Sequence, residues 1–340
     1  MTPPQTLESS RRAAIITGPT SHTPHCWIAG EWTTLDDHAI TIATQGLHYG
    51  TGVFEGIRAY WAPRDSCAYI VRLAEHVNRL VDSCRLMRID LGLTADDLRD
   101  IVIQTVERNA FRGDLYIRPV AFKSKLAPGT PFGVGLDGVQ DHVAVYATPM
   151  PSASQLRSIR CAVSGWRRIP SDCLPARAKV TGAYANLALA VDEARAAGYD
   201  DAILLNTRGK VAEASTANVF TVSRDGLATP SLDCDILAGQ TRACTLELAA
   251  YMGIPVAQHP IDLAELLTAD EVFTTGTGSE ITAVVQINGR TIGTGMPGPT
   301  TQALFDNYRA RVHRDVDQHL AWTTPAIPRS TASPTHPSDA

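Results

Sequence analysis

Residues 175–182 read PARAKVTG and contain Lys179, one of only four lysines among 340 residues. The residues that follow carry apolar side chains at helical spacing and predict a helix over 184–197. The apolar face consists of Tyr184, Leu187, Ala188 and Val191. A lysine held against such a face would be partly desolvated, which lowers the pKa of its amine and makes it nucleophilic. Taken alone, this segment favours the more common alternative, an ordinary loop lysine.

The other three lysines have more polar surroundings. Lys210 closes the polar turn Thr207–Lys210, and we interpret it as a solvated charge. Lys123 and Lys125 follow a predicted strand, and they are either surface charges or cations near a pocket for an acidic substrate. Lys179 is therefore set apart by its apolar neighbours.

Two glycine-containing segments further along the chain have the composition of anion-binding sites. Leu237–Arg242 reads LAGQTR directly before a predicted helix, and Thr274–Glu280 reads TTGTGSE after a predicted strand. Free backbone N–H groups at such places bind phosphate or carboxylate, and Arg58, in the strand-like Gly56–Arg58, adds a cation. The alternative for each segment is a helix N-cap followed by a flexible turn. Neither contains the glycine pattern of a Walker or a dinucleotide-binding motif.

Glu213 is the acidic residue of most interest. It lies in Val211–Asn218, which reads VAEASTAN and leads into the predicted strand Val219–Val222. The alternative is a turn glutamate that faces solvent, because glutamates are mostly exposed. His48, beside Tyr49, is compatible with a packed core histidine or with a catalytic one. The ten histidines are too dispersed for a metal cluster and show no HExxH spacing, so we predict no metal site.

The pattern of elements predicts an α+β protein, with an α/β arrangement in two domains. The predicted units are a disordered leader (1–25), a small N-terminal α/β domain (26–150), an interdomain linker (151–157), a large C-terminal domain (158–320) and a disordered tail (321–340). Predicted helices begin near residues 73, 98, 184, 241, 262 and 300, and predicted strands span 115–122, 142–148, 202–206 and 218–223.

Composition and charge exclude several classes of function. The net charge of −5, without a basic stripe, argues against nucleic acid as a partner. The seven cysteines are scattered and form no CxxC pair, which argues against a disulfide or zinc framework and indicates a reducing compartment. The chain has no apolar run of about 18 residues, and its N-terminal residues lack the apolar segment of a signal peptide. We therefore expect a cytoplasmic protein without a membrane segment.

Six short motifs, taken together, resemble those of the branched-chain amino-acid aminotransferases. These are class IV aminotransferases, fold-type-IV enzymes that use pyridoxal 5'-phosphate (PLP). In chain order the motifs are HYGTGVFEGIR at 48–58, YIRP at 116–119, ARAK at 176–179 with GAYAN at 182–186, EASTANVF at 213–220, GQTR at 239–242 and GTGSEI at 276–281. The resemblance covers about residues 26–315, and the shared order makes it far more specific than any single motif.

The resemblance implies a small N-terminal domain, a larger C-terminal domain and PLP in the cleft between them. Lys179 would carry the cofactor as a Schiff base and would act as the catalytic acid–base group. Glu213 would keep the pyridine nitrogen of the cofactor protonated, and Tyr184 would hydrogen-bond its phenolic oxygen. The phosphate-binding residues complete the cofactor-binding set: Arg58, Gln240, Thr241 and Thr277.

The same resemblance implies which residues surround the substrate: Tyr49, Phe54, Gly56, Tyr116, Arg118, Gly278 and Ser279. Tyr116 and the backbone near Gly278 would hold the α-carboxylate. Tyr49 would reach in from the partner subunit of a homodimer. Arg118 would accept the acidic side chain of glutamate.

The implied reaction transfers the amino group of an L-amino acid, with branched-chain donors favoured, to 2-oxoglutarate. The products are the 2-oxo acid and L-glutamate. Alternatives on the same fold are a D-amino-acid or (R)-amine aminotransferase and a 4-amino-4-deoxychorismate lyase. A catalytically silent protein that binds PLP or another small molecule is the alternative from a different class. The segment Pro149–Ala153 departs from the family because it lacks aromatic residues, which leaves the preferred side chain open.

Overall fold

The computed structural model describes residues 24–37, 40–126, 133–316 and 320–328. Most of the predicted leader and most of the predicted tail lie outside these ranges. Part of the loop after Lys125 also lies outside them.

The described strands and helices are numbered in chain order. The strands are β1 (His25–Ile28), β2 (Glu31–Thr34), β3 (Gly52–Phe54), β4 (Ile57–Ala62), β5 (Cys67–Val71), β6 (Leu115–Leu126), β7 (Val139–Pro149), β8 (Arg157–Arg167), β9 (Asp201–Leu205), β10 (Val211–Ala214), β11 (Asn218–Ser223), β12 (Gly226–Thr229), β13 (Val256–Gln258), β14 (Glu271–Gly276), β15 (Glu280–Ile287), β16 (Arg290–Thr291) and β17 (Thr323–Ala326). The helices are α1 (Gln45–Tyr49), α2 (Leu73–Leu86), α3 (Ala95–Asn109), α4 (Tyr184–Ala196), α5 (Gln240–Tyr251), α6 (Leu263–Thr268) and α7 (Pro299–Val312).

The first sheet is antiparallel and runs in the order β17-β5-β4-β6-β7-β1-β2, with β3 also paired to β6. In its long central hairpin, Tyr116 lies opposite Thr148 and Arg118 lies opposite Tyr146. On the other side of β6, Arg58 lies opposite Tyr116. Because side chains alternate between the two faces of a strand, Arg58, Tyr116 and Arg118 share one face of the sheet.

The second sheet runs in the order β10-β9-β8-β15-β14-β11-β12-β13, with β16 paired to β15. Strand β10 also pairs with β11, which closes six strands into a ring of pairings. In that closing pair Glu213 lies opposite Asn218. Glu213 therefore belongs to a paired, buried strand, and the alternative of a solvent-facing turn glutamate is wrong.

Helix α2 packs against β3 and α3. Its apolar residues form part of the core below the first sheet: Leu73, Val77, Leu80 and Cys84. The buried positions of α2 also include two polar residues, His76 and Ser83. Buried polar side chains need hydrogen-bond partners. His76 pairs with the Glu55 carboxylate, and Ser83 contacts the backbone of Arg79 and of Lys179.

The predicted α+β class is confirmed, and the predicted helices and strands are present with boundaries shifted by a few residues. The strands of the first sheet lie within 25–149 and 323–326, and those of the second lie within 157–291. The exact domain boundaries stay a prediction. Within the described ranges, no helix combines the length and the apolar character needed to cross a lipid bilayer.

The sequence predicts a disordered tail from residue 321, and this is wrong for its first residues. Trp322 is buried, and its indole N–H donates to Glu247 Oε2 at 2.7 Å. Strand β17 then pairs with β5 from Thr323 to Ala326. Four residues of low apolar content carry little strand signal, but an existing sheet edge satisfies their backbone groups.

The prediction that Lys123 is a surface charge or a cation near the pocket is also wrong. Lys123 is only 3% exposed, and its Nζ lies 2.9 Å from Asp141 Oδ1. Asp141 lies directly opposite Lys123 across the β6–β7 hairpin. Lys123 is therefore neither a surface charge nor a residue of the cavities at the site, whereas the side chain of Lys125 lies outside the described residues.

Candidate active site

A cavity of about 690 Å³ is lined by residues of both sheets. This volume is in the range typical of small-molecule sites. All but three of the predicted site residues line it: Phe54, Gly56, Tyr116, Arg118, Lys179, Tyr184, Glu213, Gln240, Thr241, Thr277 and Gly278. The fold thus brings motifs that are distant in the sequence together around one cavity.

Lys179 is fixed in this wall by its backbone and by its side chain. Its N–H donates to Ser83 Oγ at 3.2 Å, and its carbonyl accepts from Phe54 N–H at 3.1 Å. Its Nζ donates to Tyr184 Oη at 2.6 Å. Burial lowers the pKa of Lys179 to about 8, and the charge of Arg79 acts in the same direction. The amine is therefore readily neutral, which is the nucleophilic form.

Tyr184 begins α4, directly after the 3₁₀ turn Thr181–Ala183 that follows Lys179. This short spacing places the phenol beside the amine. The ring centre lies 4.8 Å from that of Phe54. Burial, together with the charge of Glu213, raises the pKa of the Tyr184 phenol. Tyr184 therefore keeps its proton in neutral solution.

Glu213 is held by three donors at the cavity wall. Its Oε1 accepts from Arg168 Nε at 2.8 Å, and its Oε2 accepts from Leu237 N–H at 3.1 Å and from Asn218 Nδ2 at 3.2 Å. Burial raises the pKa of Glu213, and the Arg168 guanidinium opposes that rise. A carboxylate in this setting is oriented and can share a proton with a basic nitrogen in the cavity.

The N-terminus of α5 forms an anion-binding wall of the cavity. Gly239 is its N-cap, with no side-chain cap hydrogen bond, and Gln240 and Thr241 follow in the first turn. The first N–H groups of a helix have no intrahelical acceptor, and they carry the positive end of the helix dipole. A Cβ on Gly239 would lie 2.1 Å from Asn218 Oδ1, so only glycine allows this close approach. The wall therefore suits a phosphate group.

The end of β14 and the turn after it also contribute to this anion site. Thr275, Gly276, Thr277 and Gly278 all line the cavity. Thr275 Oγ1 is buried and has no hydrogen-bond partner among the described residues. The hydroxyls and backbone of this turn complete a donor set that fits the phosphate of PLP.

Arg58 lies behind this wall instead of in the main cavity. It lines a second cavity of only about 10 Å³ with Gln240, Thr241 and Thr277. Its Nη2 donates to Met150 O at 2.9 Å, while its Nε is buried without a partner among the described residues. The guanidinium thus adds positive charge directly behind Thr241 and Thr277, and a direct phosphate contact stays a prediction.

Tyr116 and Gly56 form the wall of the cavity next to Gly278. A Cβ on Gly56 would lie 1.9 Å from Tyr116 Oη, and a Cβ on Gly278 would lie 3.6 Å from Met150 Cε. Gly56 is therefore required for the position of the Tyr116 hydroxyl. This hydroxyl and the backbone near Gly278 are placed to bind a carboxylate.

Arg118 is the cation at this end of the cavity. Its guanidinium carbon lies 4.6 Å from the centre of the Phe54 ring and 5.2 Å from that of Tyr116. Its Nη2 donates to Tyr116 Oη at 3.3 Å, and its Nε is buried without a partner among the described residues. A neighbouring cavity of about 300 Å³ shares Phe54, Arg118 and Tyr184. An aromatic surface with an available cation accepts either an apolar or an acidic side chain.

The structure does not bring Tyr49 or Ser279 into the cavity lining. Tyr49 ends α1 and is 40% exposed. Ser279 Oγ is buried behind the lining, without a partner in the described part of the chain. His48 is exposed, so it is neither a packed core histidine nor a residue of this site.

Arg79 and Arg168 also line the cavity, although the sequence analysis does not single them out. The available signal for Arg79 is the spacing of His76, Arg79 and Ser83 along the core-facing side of α2, where apolar residues are expected. Arg168 carries no such signal, because its partner Glu213 is distant in the chain. Across the described residues, no cluster of histidine, cysteine, aspartate and glutamate could hold a metal ion.

The similarity to known proteins covers all the residues that line the main cavity. The family model of amino-transferase class IV matches residues 52–287. A probable branched-chain-amino-acid aminotransferase of Aquifex aeolicus is 39% identical over 300 residues, which cover 87% of this chain and 94% of that protein.

Many solved structures share the fold, among them two branched-chain aminotransferases. One is the branched-chain aminotransferase of the thermophilic archaeon Thermoproteus uzoniensis with norvaline, with 40% identity, a TM-score of 0.84, and coverage of 90% of this chain and 100% of that one. The other is the branched-chain amino acid aminotransferase of Thermobaculum terrenum in its PLP form, with 33% identity, a TM-score of 0.84, and coverage of 89% and 98%.

Proposed function

This chain belongs to the class IV aminotransferases, and from this premise we propose that it is a PLP-dependent branched-chain-amino-acid aminotransferase. It transfers the amino group of a branched-chain L-amino acid to 2-oxoglutarate and releases the 2-oxo acid and L-glutamate. The relatives that support the substrate class are themselves named branched-chain aminotransferases.

One observation carries the proposal: an amine of lowered pKa, a buried carboxylate and an anion-binding helix N-terminus line the same cavity. Lys179 provides the amine, Glu213 the carboxylate, and Gln240 and Thr241 the helix end. These are the groups needed to hold an aldehyde, a pyridine nitrogen and a phosphate, the three polar parts of PLP.

When bound, PLP supplies a ring that accepts the electrons released as the substrate Cα–H bond breaks. Lys179 Nζ takes the proton from Cα and later delivers it, as a positioned acid–base group. Tyr184 Oη keeps its own proton and orients the Lys179 amine. Glu213 holds a proton at the ring nitrogen, and Arg168 fixes the direction of its carboxylate.

The substrate end of the cavity has to accept an apolar side chain in one half-reaction and an acidic one in the other. Phe54 and Tyr116 offer aromatic surface to the apolar side chain, and the Arg118 guanidinium offers charge to the acidic one. Tyr116 Oη and the backbone at Gly278 bind the α-carboxylate common to both substrates. This division of roles supports an enzyme that alternates between a branched-chain amino acid and glutamate.

We further propose that the enzyme works as a homodimer in the cytoplasm. The region around α1 exposes Ile42, Leu47 and Tyr49 at 88%, 64% and 40%, and exposed apolar side chains in one region favour a protein contact. All seven cysteines are free thiols, which suits a reducing compartment. The molar mass in solution, measured by light scattering, tests the dimer.

A panel of amino donors with 2-oxoglutarate tests the proposed reaction. We expect L-leucine, L-isoleucine and L-valine to give L-glutamate, and D-alanine and an (R)-amine to give none. Activity with only D-alanine or the amine would assign a different aminotransferase on this fold. PLP binding without turnover of any donor would identify a silent binding protein.

A further inference from the structure

We propose that Arg79 is a positioning residue that fixes the cofactor loop Leu237–Gly239 relative to Lys179. The inference rests on the proposed function, since it concerns how this chain holds PLP. Arg79 lines the main cavity, but its side chain is directed to protein groups on both sides of it. It links α2 to the segment before Gly56 and to the segment before α5.

The first link joins Arg79 to Glu55. Arg79 Nε donates to Glu55 Oε1 at 2.6 Å, and Nη2 donates to Oε2 at 2.8 Å, so the pair is bidentate. Glu55 is fully buried and also accepts from His76 Nδ1 at 2.6 Å. Burial alone would raise the pKa of Glu55, but the charges and hydrogen bonds of Arg79 and His76 hold it well below its usual value. Glu55 is therefore a permanent anion that fixes the guanidinium plane.

The second link joins the same guanidinium to the cofactor loop. Arg79 Nη1 donates to the carbonyl oxygen of Ala238. The preceding residue, Leu237, is held at its N–H by Glu213 Oε2 at 3.1 Å and at its carbonyl by Asn218 Nδ2 at 2.9 Å. Glu213 and Asn218 belong to the second sheet, whereas Arg79 belongs to α2. Arg79 thus ties this loop to the side of the cavity that carries Phe54 and Gly56.

Helix α2 also holds the backbone of Lys179. Ser83 Oγ donates to Arg79 O at 2.8 Å and accepts from Lys179 N–H at 3.2 Å. One turn of α2 therefore contacts the covalent attachment point, and the turn before it contacts the loop that leads to the phosphate site. Bound PLP would be held at both of these points, so a small change in their separation would alter how well the protein holds it.

Only arginine can make both links. The guanidinium uses Nε and Nη2 on Glu55 and Nη1 on Ala238, whereas a lysine ammonium is a point charge that cannot reproduce this planar fork. An Arg79→Lys substitution keeps the charge beside Glu55 and removes the loop contact. The substitution therefore tests the loop contact while the positive charge beside Glu55 is retained.

The test compares full-length wild-type protein, R79K, and the double variant E55Q/R79M for the dissociation constant of PLP and for thermal unfolding. The double variant removes both buried charges together, so its stability is close to that of the wild type, because no buried ion is left unpaired. We expect the dissociation constant to rise about 10-fold in both variants, the loss expected for one charge-assisted hydrogen bond. Arg85→Met is the matched control, because Arg85 is on the same helix with a side chain 75% exposed.

The KM for L-leucine distinguishes a role of Arg79 in positioning the loop from a general disruption of the active site. At saturating PLP, the KM for L-leucine stays within about twofold of the wild type, because Tyr116 and Arg118 are not touched by the substitutions. A dissociation constant unchanged in R79K or in the double variant would overturn the assignment. So would the loss of cooperative unfolding in both variants, since Arg79 would then hold the fold as a whole. Failure of the wild-type protein to bind PLP would instead reject the proposed function.

Discussion

The amine of Lys179 donates a hydrogen bond of 2.6 Å to the hydroxyl of Tyr184, and burial shifts the two groups in opposite directions. It lowers the pKa of Lys179 to about 8 and raises the pKa of Tyr184. Both shifts favour the neutral form, because a desolvated charge is costly. The cavity therefore keeps a neutral phenol beside an amine that loses its proton near physiological pH.

The lowered pKa of Lys179 predicts a pH-dependent difference in stability between the PLP-free wild type and Lys179→Met. The pKa rises from about 8 in the folded protein to 10.5 when the residue unfolds, so the unfolded state binds more protons between these values. The wild type therefore gains stability relative to Lys179→Met as pH rises from about 8 to 10.5.

Urea unfolding at several pH values measures this difference. We expect Lys179→Met to be the more stable variant at pH 7, by a few kcal/mol, since each unit of pKa shift corresponds to about 1.4 kcal/mol. A difference that does not change with pH would mean that Lys179 is solvated and has an ordinary pKa.

Glu213→Gln removes the negative charge while keeping the shape of the side chain. We expect kcat to fall by about 10²–10³-fold, because a preorganised charge at the reacting group is lost. Stability should also fall by about 3–5 kcal/mol, since Arg168 is left as an unpaired buried ion. Steady-state kinetics with L-leucine and 2-oxoglutarate measure the effect, with Glu31→Gln at an exposed position as the control. A kcat within threefold of the wild type would remove Glu213 from the mechanism.

The parts of this site that could be predicted from the sequence are those whose residues lie close together in the chain. Lys179 and Tyr184 belong to one short segment, and the helix start at Gln240 follows a recognisable glycine, so both features are visible before folding. The paired strands of the β6–β7 hairpin are also evident from their apolar patterns.

The remaining features depend on contacts between distant segments. The sequence marks Arg79 only as a polar residue at a core-facing position of α2, and its contact with Ala238 is visible only in the folded chain. Arg168 is recognisable as a site residue only when Glu213 is beside it. Lys123 reads as a polar loop residue until the hairpin places Asp141 opposite it. Strand β17 exists because β5 offers an edge, which its own four residues do not reveal.

Gly56→Ala should impair the carboxylate end of the cavity. The added Cβ would lie 1.9 Å from Tyr116 Oη, so the tyrosine must move. We expect the KM for amino acid to rise about 10-fold, in line with an overpacking cost of about 1–3 kcal/mol. Gly113→Ala is the matched control, because nothing lies within 4 Å of its added Cβ. If Gly56→Ala has an unchanged KM, the hydroxyl of Tyr116 does not bind the carboxylate.

Arg118→Met tests how one pocket accepts two kinds of side chain. We expect the KM for 2-oxoglutarate to rise about 10–100-fold, the value of a hydrogen bond to a charged group. The KM for L-leucine should change by less than about threefold, because methionine preserves apolar contact. Arg112→Met provides an exposed control. Equal effects on both substrates would show that Arg118 does not discriminate between them.

Borohydride reduction of the PLP-loaded protein, followed by peptide mass spectrometry, tests most directly whether Lys179 carries the cofactor. The chain offers only four lysines, so the assignment is unambiguous. We predict that the peptide containing Lys179 gains a phosphopyridoxyl group, and that Lys179→Ala gains none and loses transaminase activity by more than the ~10²–10⁴-fold typical of a positioned acid or base. A label on Lys123, Lys125 or Lys210, with Lys179 unmodified, would contradict the account.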